Sequence, residues 1–140
     1  MWDMDIFMDF EIGRIGVAEA TVNSSNTAMA MGSGALEVFA TPAMVALMEK
    51  AATIAVQECL SEEYSTVGTK INIRHMAATP IGMKVSARAT LIEADGKRLV
   101  FTIEAFDDRE KIGEGQHERF VISIDKFMDK SNRKNTNQHI

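Results

Sequence analysis

Thr41-Pro42-Ala43-Met44-Val45-Ala46-Leu47-Met48-Glu49-Lys50, continued by the mostly apolar run to Leu60, decides how this chain is built. Threonine can cap the free amides of a first helical turn, and Pro42 needs no backbone donor there. The spacing predicts a helix from Thr41 to Leu60, about 19 residues and about 28 Å long. Nearly every face of it is apolar, so it has to be buried on most sides. Glu49, Thr53 and Gln57 recur every four residues and, with Lys50, form its one polar stripe.

Strands follow the helix. Thr66–His75 alternates, with Val67, Thr69, Ile71, Ile73 and His75 sharing one face and Gly68, Lys70, Asn72 and Arg74 the other. Residues 78–82 read as a turn. Met83–Ala94 and Lys97–Asp107 are joined through Asp95-Gly96, a tight-hairpin signal. Gly115–Asp125 reads as the last strand, with Phe120, Ile122 and Ile124 on one face and His117 on the other, which looks exposed. Before the helix, Gly13–Val22 reads as a strand, residues 23–26 as a turn, and the Met- and Ala-rich stretch 27–36 as an ordered, adaptable loop bordering a pocket. Residues 1–11 alternate apolar and acidic, the pattern of an extended segment. One domain, residues 1–128, is expected, followed by a polar, disordered tail at 129–140. The fold class is α+β: an antiparallel sheet curled around one long central helix. Such a sheet leaves edges bare, so a dimer is expected.

Composition excludes several functions. A net charge of −5 gives no concentrated basic surface for nucleic acid. The lone Cys59 cannot close an internal disulfide, and the scattered His and Cys have no metal-site spacing. Asp3, Asp5 and Asp9 interrupt any signal sequence, and no apolar stretch approaches the roughly 20 residues of a membrane span. A cytoplasmic protein is expected, with neither nucleic acid nor membrane as partner.

Three residues carry chemistry. Thr41 serves equally as a cap or as a hydroxyl beside a helix N-terminus that favours negative charge. Glu49 lies eight residues on, about 12 Å along the axis, so a shared substrate would have to lie alongside the helix. It fits a solvated stripe or, with less solvation, a general base or nucleophile. His75 faces the helix by strand alternation, as a structural imidazole or a catalytic base.

The ordered set Val38-Phe39-Ala40-Thr41, Met44-Val45, Leu47-Met48-Glu49, Val67-Gly68-Thr69, His75, Ala77-Ala78-Thr79-Pro80, Gly96-Lys97-Arg98-Leu99, Ile112-Gly113-Glu114-Gly115 and His117-Glu118-Arg119 resembles the hotdog-fold thioesterases akin to fluoroacetyl-CoA thioesterase. The resemblance spans about residues 38–127. It implies a homodimer, with a tetramer open, that hydrolyses a short acyl-CoA at the subunit interface. Thr41, Glu49 and His75 would be catalytic, Gly68 and Arg119 would border the substrate, and no cofactor or metal is expected beyond the coenzyme A of the substrate. The fluoroacetyl-specific type carries phenylalanines ahead of this motif, where this chain has Met29-Ala30-Met31-Gly32-Ser33-Gly34-Ala35-Leu36. That departure implies a different or broader acyl group. A non-catalytic acyl-CoA or lipid-binding module and an enoyl-CoA hydratase are the rival functions.

Overall fold

The computed structural model describes residues 9–135. Most of the alternating N-terminal segment, and the last five residues of the expected tail, lie outside them. Five strands, β1 (Ile15–Thr21), β2 (Tyr64–His75), β3 (Lys84–Asp95), β4 (Arg98–Asp107) and β5 (Lys111–Ser123), form one antiparallel sheet in the order β1-β3-β4-β5-β2. Both β1 and β2 are edges. A one-turn helix, α1 (Ala28–Met31), precedes the long helix α2 (Thr41–Val56), and α3 (Ile124–Asn132) follows β5.

The sheet wraps α2 because the helix has little else to offer than apolar surface. Met44, Leu47, Met48, Ala51, Ala52, Ala55 and Val56 are all buried on it. They meet Leu91, Leu99, Phe101, Ile103 and Ile112 from the sheet, each fully or almost fully buried. Burying a side chain of this size stabilises a fold by about 1.5–3 kcal/mol. The alanines and Gly16 let β1 come unusually close to the helix, since a side chain at position 16 would collide with the Ala51 carbonyl and the Ala55 backbone. Gly96 supplies the positive φ (+61°) of the two-residue β3–β4 turn that the Asp95-Gly96 pair predicts.

Several expectations need correction. The α-helix stops at Val56 and tightens into a 3₁₀ turn over Gln57–Cys59 before Leu60. The supposed loop 27–36 contains α1, capped by the Thr27 hydroxyl and ended by left-handed Gly32. The last strand begins at Lys111 and ends at Ser123, so Ile124 and Asp125 open α3.

Residues 129–135 are helical rather than a disordered stretch, in α3 and a 3₁₀ turn over Arg133–Asn135. Asp125 in the first turn, Lys130 in the last and an Asp129–Arg133 pair at 3.1 Å suit that helix. No helix among the described residues is long and apolar enough to cross a membrane.

Candidate active site

The first residue of α2 is Thr41, and the capping position falls to Ala40, which makes no side-chain cap. The threonine hydroxyl is therefore released from the role the sequence suggests for it. It lies 2.7 Å from Nδ1 of His75, the last residue of β2. The other ring nitrogen, Nε2, is buried and has no hydrogen-bond partner among the described residues. Burial pushes the His75 imidazole below its ordinary pKa, with a backbone contact at Ala77 pulling weakly the other way. With Nδ1 donating to Thr41, Nε2 keeps its lone pair and can act as a base; with Nδ1 accepting, Nε2 carries the hydrogen and can give it up. The pair lines a cleft of about 290 Å³ together with Ala28, Ser33, Phe39 and Ala77.

Two turns further along α2, Glu49 belongs to a second cluster. Its side chain is 42% exposed. Oε2 accepts from Arg119 Nη1 at 3.2 Å and lies 4.0 Å from His117 Nε2. Gly68 of β2 packs directly against that oxygen, leaving no space for a side chain. Arg119 is only 7% exposed. Its Nε donates to Thr66 Oγ1 at 2.8 Å and Nη2 to the Thr66 carbonyl at 3.0 Å. Burial makes its guanidinium less willing to hold charge, and neighbouring Glu49 offsets this.

The inward turn of His117 and Arg119 was not legible from strand alternation. His117 is 1% exposed, although the apolar trio Phe120, Ile122 and Ile124 suggests the opposite orientation. Phe120 and Ile124 lie on the outer side, and Gly113, His117, Arg119 and Val121 face inward. A second correction concerns β2. The register shifts between Gly68 and Lys70, a bulge that changes the phase of the strand. Thr66 and Gly68 consequently share the inner side with His75, and Val67, expected beside His75, pairs with outward Phe120. Only the glycine hints at this in sequence.

Within one chain, then, Thr41 and His75 are brought together, Glu49 is brought to Gly68 and Arg119, and the two groups remain separate clusters on one helix. A second groove, of about 600 Å³ on the outer face of the sheet, is lined by Arg74, Lys111, Glu104 and Glu114. Those charges pair with one another at 2.7–2.9 Å. Among the described residues no group of His, Cys, Asp or Glu could hold a metal ion.

An antiparallel sheet rolled about one long helix, with polar chemistry at the helix start and middle, is the hotdog fold of the thioesterases. A crystal structure of a variant of the fluoroacetyl-CoA-specific thioesterase FlK superposes with a TM-score of 0.84 at 35% identity, covering 91% of this chain and 98% of that one. A Thermus thermophilus protein described as a thioesterase superfamily member superposes at 0.83 with 26% identity, covering 91% and 94% of the two chains. The fluoroacetyl-CoA thioesterase of Streptantibioticus cattleyicolor is 43% identical over 98 residues, 70% of each chain. The family model described as FlK, fluoroacetyl-CoA-specific thioesterase, matches residues 22–125. This chain belongs to that family.

Proposed function

We propose that the chain hydrolyses a small acyl-CoA thioester to a free acid and coenzyme A, in a site that two copies complete. Family membership supports thioester hydrolysis of an acyl-CoA. The observation that carries the catalytic reading is the Thr41–His75 pair at 2.7 Å, with the second imidazole nitrogen unused beside a cleft.

Glu49 is the missing third group. Eight residues of helix set it about 12 Å from Thr41, too far to act on the same carbonyl from the same helix. Two antiparallel helices related by a two-fold axis place the start of one beside the middle of the other, twice. The edge strand β2 carries both His75 and Gly68 and has no strand on its outer side within the described residues, so it offers the edge along which two copies pair. In that assembly Thr41 and His75 of one copy meet Glu49 of the other.

The Glu49 carboxylate attacks the thioester carbonyl, or takes a proton from a water that does. In either route the carbon–sulfur bond breaks, one water is consumed overall, and a proton of that water reaches the departing thiolate by way of His75. Thr41 holds the imidazole by its Nδ1 edge. Gly68, having no side chain, lets the carboxylate lie directly against the β2 backbone, and no cofactor is needed beyond the coenzyme A that the substrate brings. The acyl end lies toward Ala28 and Phe39. The segment above it offers exposed Met29, Met31 and Leu36 in place of aromatic residues, which supports acyl groups other than fluoroacetyl.

Thiol release from a panel of acyl-CoA esters tests this reading. Glu49→Gln and His75→Ala should each lower kcat at least ~100-fold in folded protein. Near-native turnover in both variants, or water added across an enoyl-CoA without thiol release, overturns it.

A further inference from the structure

Beyond the catalytic trio, the inner face of β5 carries a buried imidazole for which that chemistry has no use. His117 is 1% exposed, sits between Ile71 of β2 and Phe101 of β4 in the ladder, and leans on the Phe101 ring at 6.3 Å. Its protons can be placed by elimination. Nδ1 lies 2.8 Å from the Lys70 carbonyl at the β2 bulge, and a carbonyl only accepts, so Nδ1 carries the hydrogen. Nε2 lies 3.1 Å from Arg119 Nη1, and a guanidinium only donates, so Nε2 offers its lone pair. The ring is held as a single neutral tautomer.

The consequence falls on Arg119. Nη1 has two hydrogens. One goes to His117 Nε2 and the other to Glu49 Oε2 at 3.2 Å. Nε and one hydrogen of Nη2 go to Thr66. The side-on fork of Nε and Nη2 is thereby spent on Thr66, and the guanidinium touches the carboxylate through Nη1 alone rather than by the two-pronged pairing arginine otherwise favours. Glu49 is held through one oxygen, and Oε1 makes no hydrogen bond among the described residues.

We propose that His117 is a positioning residue for the reaction: through Arg119 it fixes Glu49 by a single oxygen over Gly68 and keeps the other oxygen free to act. This rests on the reading of Glu49 as the reacting carboxylate. The charged groups around the ring are Arg119 on its own strand, Glu49 on α2 and, on the outer side of β5, Glu118. An imidazolium would set an N–H against the guanidinium, so the device requires the neutral ring. Burial favours that form.

The test compares His117→Phe, which keeps an apolar ring and removes both hydrogen bonds, with His117→Gln, whose amide can donate to Lys70 and accept from Arg119. In folded enzyme, His117→Phe should lower kcat about 10- to 100-fold with KM little changed, and His117→Gln should recover most of the loss. An unimpaired His117→Phe enzyme, a change confined to KM, or a His117→Gln enzyme no better than the phenylalanine variant overturns the proposal.

Nitrogen NMR of the wild-type ring gives a second reading that does not depend on the variants folding. A neutral ring protonated at Nδ1 near neutral pH is expected, and a proton on Nε2 refutes the arrangement. Glu49→Gln is assayed alongside. If that variant turns over normally, the reading of Glu49 fails and the proposal with it. If it is dead and His117→Phe is unimpaired, the proposal alone fails.

Discussion

Glu49 and Gly68 face each other across the seam between α2 and β2 with no room for a methyl group: a Cβ at position 68 would overlap Glu49 Oε2. The obstacle is the far end of a flexible side chain, which can swing aside. Gly68→Ala should therefore cost about 1 kcal/mol of stability or less while displacing the carboxylate, with kcat down at least ~10-fold. Thermal unfolding and turnover measured on the same preparation separate the two effects. A variant that loses stability and keeps its kcat contradicts this account of Gly68.

Thr41 gives a contrasting case. Its hydroxyl bonds His75 and does not cap the helix, so removing it should hurt chemistry more than folding. Thr41→Ala is expected to lose about 100-fold in kcat/KM and about 1 kcal/mol or less in stability, and Thr41→Ser to retain most of both. A helix that melts in the alanine variant would return Thr41 to a structural role.

Mixing two dead variants tests whether the site is shared between copies. If Glu49 of one copy serves His75 of the other, a Glu49→Gln/His75→Ala heterodimer carries one intact site and one doubly broken site. Random reassortment should then recover about a quarter of wild-type activity. No recovery after verified subunit exchange places all three groups in one chain.

The pH dependence of stability follows from two imidazoles, the half-buried His75 and the buried His117. Both His75 and His117 are held below their ordinary value of 6.5, burial being the main cause in each. Between the folded and unfolded pKa values the unfolded chain binds more protons than the folded one, so stability rises with pH there. The gain is complete above about pH 6.5, falls away below that as the rings of the unfolded chain take up protons, and levels off once the folded rings titrate as well. Thermal unfolding followed from roughly pH 7 down to pH 5 should show a falling midpoint, and His75→Asn combined with His117→Gln should flatten the slope.

Thr41, Pro42 and the apolar run behind them announce the helix, and the parity of His75 announces its inward turn; both are local signals. The inward turn of His117 and Arg119 is not a local signal. It depends on which side of β5 meets the helix, and Phe120 and Ile122 point that inference the wrong way, while Ile124 belongs to α3 rather than to the strand. The bulge beside Gly68 is marked only by the glycine itself, since one extra residue in a strand changes no composition. Helix α3 leaves little signal in the sequence because its few apolar residues remain substantially exposed, so no buried stripe marks it. Glu49 could be singled out as an acid on an apolar helix, but its neighbours come from β2 and β5, distant in sequence.

Gly16 has a consequence for how this scaffold can diversify. Because β1 rests on α2 through bare backbone at Ala51 and Ala55, the gap between helix and sheet at that seam is already at its minimum. Trimming a side chain there cannot deepen the cavity, and adding one would pry the layers apart. Any reshaping of the cleft beside Thr41 and His75 falls instead to the residues that line it away from this seam, Ala28, Ser33 and Val38 among them.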